Sequence, residues 1–417
     1  MSENFKAPRG TFDVLPDREP VRRLIANVAQ RNLEAAGYGQ IETPAFEDTE
    51  LFARGVGEST DIVQKQMFTF EDQGGRSLTL RPEATASICR AYLEHGMQKQ
   101  AQPVKLWTEG PFFRHERPQA GRYRQFTQVD AEAIGSDSPL VDAEMIIVAN
   151  DILIELGVEE VRLRLGSLGT PAARSAYLDE LRRYLRSREG ELSDEVKNRI
   201  DVNPLRAFDA DHEGTRRVMD EAPTLLERLD EADAEHFDAV RQALDRSGLV
   251  YDLDPTLVRG LDYYTRTVFE FECEQLGAQS GIGGGGRYDG LIEQLGGPPT
   301  PGCGWALGVD RIAIALNQQG RDGVRAREGV FVVTEAEGRA AALALVTELR
   351  RAGLTADLDL ADRVIKGQMR QADRVGARYA VILSGGGRAT LRDMSSGEER
   401  EVDPSRVVEE IGKLRSP

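Results

Sequence analysis

The sequence predicts an α+β fold in which an antiparallel sheet with flanking helices is interrupted by a helical insertion and followed by a smaller α/β domain. In residues 1–168, segments of strand character follow one another with helices only at intervals, which favours an antiparallel sheet over a βαβ array. Residues 169–248 contain long, charged amphipathic patterns and no strand pattern. Beyond the polar segment 319–328, strands and helices alternate at short spacing, which is typical of a small α/β domain.

The composition is that of a globular protein with two or three domains. Of the 417 residues, 40% are hydrophobic and 29% are charged, which excludes wholesale disorder. Lys and Arg number 53 against 70 Asp and Glu, so the net charge is −17. This acidic excess argues against a nucleic-acid coat protein but is compatible with a local basic face. Because no apolar run approaches a membrane span and the N-terminus lacks the apolar core of a secretory signal, we expect a cytoplasmic protein without a membrane partner.

The cysteines and histidines form no recognisable disulfide or metal pattern. Cys89, Cys273 and Cys303 include no CxxC pair, which argues against a disulfide framework or a structural zinc site. The four histidines form no HExxH motif, so metal-hydrolase chemistry is not expected. We therefore expect no metal site built from protein side chains alone.

The elements predicted before the last domain begin with a helix. Apolar residues recur at helical spacing over 19–38, and 41–44 is predicted as a strand that a proline ends. Further strands are predicted at 67–70, 77–80, 104–107 and 122–135, with a helix at 139–156. After the helical insertion, strands return at 257–272 and are followed by a glycine-rich turn at 281–286.

The domain boundaries follow from these patterns. We predict a core domain formed by 1–168 and 249–320, a helical insertion at 169–248, a linker at 319–328 and a C-terminal α/β domain at 329–417. In the last domain the predicted strands are 330–334, 356–358, 379–384, 388–393 and 399–402, and the predicted helices are 337–353, 362–376 and a final one from 405.

Four clusters of arginines, carboxylates, aromatics and glycines interrupt the apolar scaffold. They are 80–85 (LRPEAT), 113–132 (FRHERPQ, then GRYRQFTQ to Glu132), 257–267 (LVRGLDYYTRT), and the pair 281–290 (GIGGGGRYDG) and 302–311 (GCGWALGVDR). Arginines suit phosphate oxygens because they donate two hydrogen bonds in one plane. Phe126 is suited to stacking on a purine, and Glu83 and Glu132 to holding an amine or an imidazole N–H.

Each cluster also has a plainer interpretation. An Arg/Glu-rich hairpin is commonly a solvated turn, a glycine run is commonly a flexible loop, and Tyr263 and Tyr264 are compatible with half-buried strand positions. The glycine run lacks the GxxxxGK[ST] pattern, so a Walker-type ATPase is not supported. The order in which the clusters occur along one chain favours a shared site.

In that order, the clusters closely resemble the motifs of class II aminoacyl-tRNA synthetases over almost the whole chain. The helix and strand of 19–44 resemble the first class II motif, FRHERPQ…GRYRQF the second, and GCGWALGVDRIAIAL (302–316) the third. LVRGLDYYTRTVFEF (257–271) and GGGRYDGL (284–291) resemble signatures peculiar to the histidyl-tRNA synthetase family. The resemblance implies the class II antiparallel sheet, a C-terminal anticodon-binding domain and a homodimer.

The activity implied by this resemblance is activation of L-histidine by ATP to histidyl-adenylate, followed by transfer to tRNA(His). ATP would enter with Mg²⁺, and no permanent cofactor is expected. The implied catalytic residues are Arg259 and Arg114, and the implied ATP-binding residues are Arg114, Glu116, Arg122, Phe126 and Arg311. The implied histidine-binding residues are Glu83, Ala84, Thr85, Arg114, Gln128, Glu132, Arg259, Tyr263 and Tyr264.

The resemblance also implies where tRNA binds. Arg117 and Gln119 would contact the acceptor end. One predicted helix of the last domain could supply a local basic face, and a solvated helix face is an equally good interpretation of each of its residues Arg363, Lys366, Gln368, Arg370 and Arg374. Ala84 stands where the family usually has glycine. The alternative is a synthetase-like regulatory subunit of a histidine-biosynthesis enzyme that does not aminoacylate. Such relatives typically lack the anticodon-binding domain and have eroded catalytic residues, so Arg114, Arg259, Arg311 and the C-terminal domain favour the enzyme. A generic ATP-binding protein would leave the histidine-type signatures unexplained.

Overall fold

A computed structural model of the chain describes residues 5–57, 60, 62–321, 328–384 and 388–415. The chain divides into two compact units, residues 1–322 and 323–417. Of the predicted linker at 319–328, residues 322–327 lie outside the described part of the chain.

The first unit contains eleven strands among its described residues. They are β1 (Gly39–Gln40), β2 (Phe46–Asp48), β3 (Phe68–Glu71), β4 (Ser77–Leu80), β5 (Val104–Phe113), β6 (Gln125–Ile134), β7 (Val161–Ser167), β8 (Asp252–Leu253), β9 (Thr265–Cys273), β10 (Gly281–Arg287) and β11 (Gly302–Gly308). Its α-helices are α1 (Glu19–Ala35), α2 (Thr49–Val56), α3 (Thr85–Glu94), α4 (Pro139–Leu156), α5 (Pro171–Ser187), α6 (Asp194–Arg199), α7 (Glu213–Asp220), α8 (Glu231–Arg246), α9 (Leu291–Gln294) and α10 (Val309–Gln318).

Eight of these strands form one sheet in the order β1-β5-β6-β11-β10-β9-β7-β8. All neighbours from β5 to β7 are antiparallel, whereas the two edge pairs, β1–β5 and β7–β8, are parallel. The strands β2, β4 and β3 form a separate antiparallel sheet. The predicted α+β class with a large antiparallel sheet is confirmed.

The large sheet has one apolar face and one polar face because side chains alternate along each strand. On β6, Val129, Ala131 and Ala133 belong to the main hydrophobic cluster, which also contains buried residues of α1, α4, α8 and α10. The intervening residues, Gln128, Asp130 and Glu132, therefore face the opposite side of the sheet. This second side carries the candidate site.

The helices between β7 and β8 are divided between two cores. Buried residues of α5, α6 and α7, such as Tyr177, Val196 and Val218, cluster with Tyr263 and Tyr264. By contrast, Phe237 and Val240 of α8 pack in the main cluster with α4. The insertion therefore contacts both the helical layer and the segment that follows β8.

A fully buried ionic network fixes β10 to α4 and α8. Arg287 donates to Asp142 Oδ1 from Nε (3.0 Å) and to the Ser136 and Ser138 carbonyls at 3.0 and 3.1 Å. His236 Nε2 of α8 lies 2.9 Å from Asp142 Oδ2. Burial raises the pKa of Asp142, but the hydrogen bonds of His236 and Arg287 outweigh it and hold the pKa below its ordinary value. Removing one member would leave a buried charge without compensation.

The second unit is a five-stranded mixed sheet with helices. Its elements are β12 (Val330–Thr334), α11 (Arg339–Arg351), β13 (Ala356–Leu358), α12 (Ile365–Arg374), β14 (Tyr379–Ser384), β15 (Arg388–Asp393), β16 (Glu399–Val402) and α13 (Val407–Arg415). The strand order is β13-β12-β14-β15-β16, with the first three parallel and the rest antiparallel. The predicted strands of this unit are all confirmed.

Three predictions about the first unit are wrong. The predicted strand at 41–44 lies after β1, and there Thr43 accepts hydrogen bonds from the Arg81 guanidinium. The strand predicted to begin at 257 begins only at Thr265. The glycine run predicted as a turn is the central strand β10, paired on both sides. A Cβ at Gly284 would overlap the Phe269 carbonyl, so the absence of side chains is what lets this strand fit.

Candidate active site

A cleft of about 240 Å³ lies on the polar side of the large sheet. Its floor is formed by β6, β10 and β11, and its walls by the β5–β6 connection and the segment 259–264. All four sequence clusters meet here. The predicted residues that line the cleft are Glu83, Thr85, Arg114, Glu116, Arg122, Phe126, Gln128, Arg259, Tyr263, Tyr264 and Arg311.

Four predicted residues do not line the cleft. Glu132 is buried directly beneath it and is hydrogen-bonded to Thr85 and to Tyr288, which both line it. Ala84 is buried, 1% exposed, behind Glu83. Arg117 and Gln119 lie outside the cleft on the exposed β5–β6 connection.

Glu132 is held by two hydroxyl groups. It accepts hydrogen bonds from Thr85 Oγ1 at 2.6 Å and from Tyr288 Oη at 2.5 Å. Burial raises the pKa of Glu132 to about 8, against the effect of these hydrogen bonds. The residue opposite it on β11 is Gly304, and a Cβ there would overlap the Glu132 carboxylate. Glycine at position 304 therefore makes room for an acid in the middle of the sheet.

Glu83 is a second buried acid, at the start of α3. Its Oε1 accepts a hydrogen bond from the Ala86 amide at 3.0 Å, as a helix-capping acid does. Burial raises the pKa of Glu83, while the Ala86 amide and the nearby Arg114 oppose that rise. Because Thr85 lies two residues after Glu83, the start of α3 supplies both the Glu83 carboxyl and the hydroxyl that donates to Glu132.

The β5–β6 connection brings a cation and an aromatic ring to the cleft. Arg114 donates from Nε to the Pro82 carbonyl at 2.9 Å, and its guanidinium carbon lies 5.2 Å from the centre of the Phe126 ring. Arg122 forms an ion pair with Glu116. A ligand that binds to either member of this pair must therefore compete with the other.

Two further arginines enter the cleft, Arg259 from the 259–264 wall and Arg311 from the start of α10. Arg259 Nη1 lies 3.0 Å from Glu270 Oε1 on β9. Burial alone would lower the pKa of Arg259, but the attraction of Glu270 outweighs it and raises that pKa. Arg311, at the start of α10, donates from Nε to the Gly121 carbonyl at 2.9 Å and from Nη1 to the Gly281 carbonyl. The cleft thus has an acidic floor and a wall rich in guanidinium groups.

The insertion helices hold the segment that carries Arg259 and Tyr264. Arg174 of α5 donates to the Tyr264 carbonyl at 3.2 Å, and Asn203 donates to Asp262 Oδ1 at 3.2 Å. Just after this segment, Arg266 Nε lies 2.9 Å from Asp233 Oδ1 of α8. The insertion therefore fixes the backbone of this wall of the cleft.

Three residues of the site were not predicted from the sequence. Glu270 pairs with Arg259, Tyr288 holds Glu132, and Asp130 lines the floor. Asp130 was detectable, since it lies midway between Gln128 and Glu132 in a strand of period two. Nothing local in the sequence marks Glu270, because its pairing depends on how β9 and the 259–264 segment meet.

The predicted basic face of the C-terminal unit needs correction. Gln368 is buried and exchanges hydrogen bonds with the Thr334 backbone at 2.9 and 2.8 Å, so it is a structural residue. Arg363 precedes α12 and forms an ion pair with Asp359. Lys366, Arg370 and Arg374 are exposed on α12.

Among the described residues, no group of three or more His, Cys, Asp or Glu side chains is placed to hold a metal ion. None of the described helices has the length and apolar character needed to span a membrane. The three cysteines are buried and unpaired with one another.

The raised pKa of Glu132 predicts a pH-dependent stability difference. The Glu132 carboxyl keeps its proton in the folded state up to about pH 8 but loses it near pH 4.5 in the unfolded chain. The free energy of unfolding therefore falls by about 1.4 kcal/mol per pH unit as the pH rises through that window. Glu132→Gln should therefore be increasingly more stable than the wild type between pH 5 and 8 and show no further gain above it. The measurement is the thermal unfolding midpoint of both proteins against pH.

Glu71→Gln is the matched control, because Glu71 is exposed on β3. Its difference from the wild type should stay constant over the same pH range. A constant difference for Glu132→Gln as well would show that Glu132 titrates alike in the folded and unfolded chains, contrary to this prediction.

Comparisons with known proteins agree with this geometry. A family model described as histidyl-tRNA synthetase matches residues 10–312, and one described as an anticodon binding domain matches residues 329–414. The histidine–tRNA ligase of Halothermothrix orenii is 46% identical over 417 residues, covering 99% of this chain and 100% of that protein. The ligase of the same name from Rubrobacter xylanophilus is 47% identical, covering 96% of this chain and 97% of that protein.

The solved structures give the same result. The apo histidyl-tRNA synthetase of S. aureus superposes with a TM-score of 0.81 at 35% identity, covering 98% of this chain and 99% of that one. A Bacillus halodurans structure titled as an ATP phosphoribosyltransferase regulatory subunit/histidyl-tRNA synthetase shares the fold, with a TM-score of 0.69 at 24% identity, covering 92% of this chain and 100% of that one. On the full-length matches, the chain belongs to the histidyl-tRNA synthetase family.

Proposed function

We propose that this chain activates L-histidine with ATP to give histidyl-adenylate and pyrophosphate, and then transfers the histidyl group to tRNA(His). The observation that carries the proposal is the division of one cleft into a buried acidic floor and a wall of guanidinium groups. An amino acid with a basic ring suits the floor, and a polyphosphate suits the wall.

On the floor, Glu83, Thr85 and Gln128 would surround the α-ammonium group of histidine. Glu132 and Tyr264 would reach the two imidazole nitrogens, with Tyr263 packed at 4.7 Å from the Tyr264 ring. Ala84 would contribute only backbone, because its side chain is buried away from the cleft. A pocket that hydrogen-bonds both ring nitrogens rejects amino acids that lack either one, since its buried polar groups would then be unpaired.

On the wall, Arg114 would bridge the histidine carboxylate and the α-phosphate. Phe126 would stack on adenine, Glu116 would accept from the adenine amino group, and Arg122 and Arg311 would bind the outer phosphates. Binding would then exchange the Arg122–Glu116 ion pair for contacts with the nucleotide. Mg²⁺ would arrive with ATP as part of the substrate and would neutralise phosphate charge.

The proposed reaction needs no enzyme nucleophile. A carboxylate oxygen of histidine forms a bond to the α-phosphorus of ATP while the bond to pyrophosphate breaks. Arg259 and Arg114 would oppose the charge that grows on the α-phosphate, so catalysis consists of positioning and electrostatics. Glu270, whose Oε1 lies 3.0 Å from Arg259 Nη1, would orient this cation before ATP binds.

For tRNA we propose two contact regions. Arg117 and Gln119, exposed on the β5–β6 connection, would contact the acceptor end, and the unit matched as an anticodon binding domain would contact the anticodon. The presence of that unit, together with the full-length ligase relatives, favours the ligase over a regulatory subunit. Because ATP and tRNA are available in the cytoplasm, we propose that the protein acts there.

We also propose a homodimer, the assembly implied by the resemblance of residues 19–44 to the first class II motif. Val21, Ile25 and Leu33 of α1 are buried within their own chain. Phe46 and Phe70, by contrast, are 50% and 43% exposed and pack edge-to-face at 6.2 Å on the small sheet. Closed two-fold pairing is the commonest way to cover such a patch.

The proposed function predicts which amino acid supports ATP–pyrophosphate exchange. Labelled pyrophosphate should enter ATP in the presence of histidine and with no other standard amino acid. Only histidine has both an α-ammonium group for the floor and an imidazole ring whose two nitrogens Glu132 and Tyr264 would reach. Exchange with none of them would leave the regulatory interpretation, and exchange with another amino acid alone would refute histidine as the substrate.

Arg259 should matter mainly in the transition state. Arg259→Gln should lower kcat for pyrophosphate exchange by about 10²- to 10³-fold, the usual loss for one preorganised donor to a developing oxyanion. KM for histidine should change much less, and Arg259→Lys should restore activity only in part, since lysine keeps the charge but loses the planar fork. Arg162→Gln, at an exposed ion pair with Asp252, is the control. A kcat close to wild type in folded Arg259→Gln would remove Arg259 from the mechanism.

The dimer is tested by light scattering. The chain of 46.0 kDa should scatter with about twice that mass at micromolar concentration. Phe46→Glu should shift the equilibrium toward monomer by placing a charge on the apolar patch, whereas Leu253→Glu, at another exposed apolar residue, should not. A monomeric wild type would count against the proposal, and unchanged dimerisation of Phe46→Glu would place the interface elsewhere.

A further inference from the structure

Three oxygen atoms on the floor of the cleft have no hydrogen-bond partner in the described part of the chain. They are Glu83 Oε2, Gln128 Oε1 and Asp130 Oδ2. All three residues line the cleft, and Glu83 and Asp130 are only 4% and 3% exposed. A buried acceptor without a donor costs free energy, so these atoms indicate a donor that arrives with a ligand.

Asp130 is the least compensated of the three residues. Its partners across the sheet, Thr108 on β5 and Ala306 on β11, carry no cation. Burial raises the pKa of Asp130 well above its ordinary value, and Glu132 and Glu83 add to that rise.

The two arginines that attract Asp130 electrostatically donate their hydrogen bonds to other groups. Arg81 donates from Nε to the Pro111 carbonyl at 2.9 Å and from Nη1 to the Thr43 carbonyl at 3.0 Å. Arg114 donates from Nε to the Pro82 carbonyl and lies over Phe126. Both attract Asp130 electrostatically, yet neither forms a hydrogen bond with it among the described contacts. Asp130 is therefore a buried acid aimed into a cleft without a donor of its own.

We propose that Asp130 is a specificity-determining residue that accepts one hydrogen bond from the α-ammonium group of the amino-acid substrate. An ammonium group has three N–H donors, and the floor offers three acceptors without partners, on Glu83, Gln128 and Asp130. This inference rests on the proposed function. Asp130, which lies midway between Gln128 and Glu132 on one face of β6, supplies the third acceptor.

A contact of this kind discriminates between ligands by their amine. Histidine and histidinol both carry the ammonium group, and histidinol lacks the carboxylate that Arg114 would bind. Imidazolepropionate keeps the ring and the carboxylate but has no amine. If Asp130 accepts from the ammonium group, its replacement weakens the first two ligands and leaves the third almost unchanged. A residue that only shapes the pocket would weaken all three.

The test is calorimetric titration of the three ligands into the full chain, as wild type and as Asp130→Asn. Replacement of the charged carboxylate acceptor by a neutral amide should weaken the binding of histidine and histidinol by about 10- to 100-fold, and that of imidazolepropionate by less than about 3-fold. Weak ligands are titrated by displacement of histidine. Circular dichroism checks the fold, and Asp130→Ser gives the same comparison should the Asn variant fail to fold.

Glu109→Gln is the matched control. Glu109 is a partly buried acid whose pKa is also raised by burial, but it lies on β5 opposite Val129, on the other face of the sheet. The Glu109→Gln substitution should leave the affinities for histidine, histidinol and imidazolepropionate unchanged. Equal losses for all three ligands in the Asp130 variants, or no loss for any, would overturn the assignment while wild-type histidine binding stands. Failure of the wild type to bind histidine would overturn the proposed function and this inference together.

Discussion

Three buried carboxyl groups that form no ion pair within the described part of the chain govern the architecture around the cleft. Glu83, Asp130 and Glu132 are each less than 5% exposed, and burial raises the pKa of every one of them. The fold supplies hydrogen-bond donors to only some of their oxygen atoms, namely the Ala86 amide to Glu83 and the Thr85 and Tyr288 hydroxyls to Glu132. Such a cluster lowers the stability of the empty protein, and the apolar core on the other face of the sheet must offset that cost.

The neighbouring strands are shaped to accommodate these acids. Gly304 leaves room for the Glu132 carboxylate on β11, and β10 consists of glycines from 283 to 286 packed between β9 and β11. A strand with so few side chains has little apolar surface of its own. Arg287, at its end, supplies the anchor through the buried network with Asp142 and His236. The segment with Arg259 and Tyr264 is held in turn by Arg174 and Asn203 of the insertion. The floor strand β10 and the 259–264 wall of the cleft are thus fixed by contacts that lie outside the cleft.

The sequence predicted what depends on local pattern. Helix 139–156 is confirmed to the residue, since Ser138 caps it and Pro139 begins it, and the strands of the C-terminal unit follow apolar runs bounded by turns. The gathering of the four clusters into one cleft was also predicted, but through their resemblance to a known family. The wrong predictions all involve contacts between segments that lie far apart in the sequence. Glycine at 281–286 signals a turn locally, whereas close packing between strands requires it here, and Gln368 is polar in sequence but bonds to the Thr334 backbone inside its unit.

On the proposed function, the cationic amine and the ring N–H of histidine complete the acidic floor. The number of protons exchanged when histidine binds tests this arrangement, and it is measured by calorimetry at pH 7 in buffers of different protonation enthalpy. Since the pKa of Glu132 is about 8 and that of Asp130 is also raised, these carboxyls should ionise as the ligand's donors arrive. We expect net release of protons at pH 7 and less release above pH 8. Proton uptake, or no exchange at either pH, would contradict it.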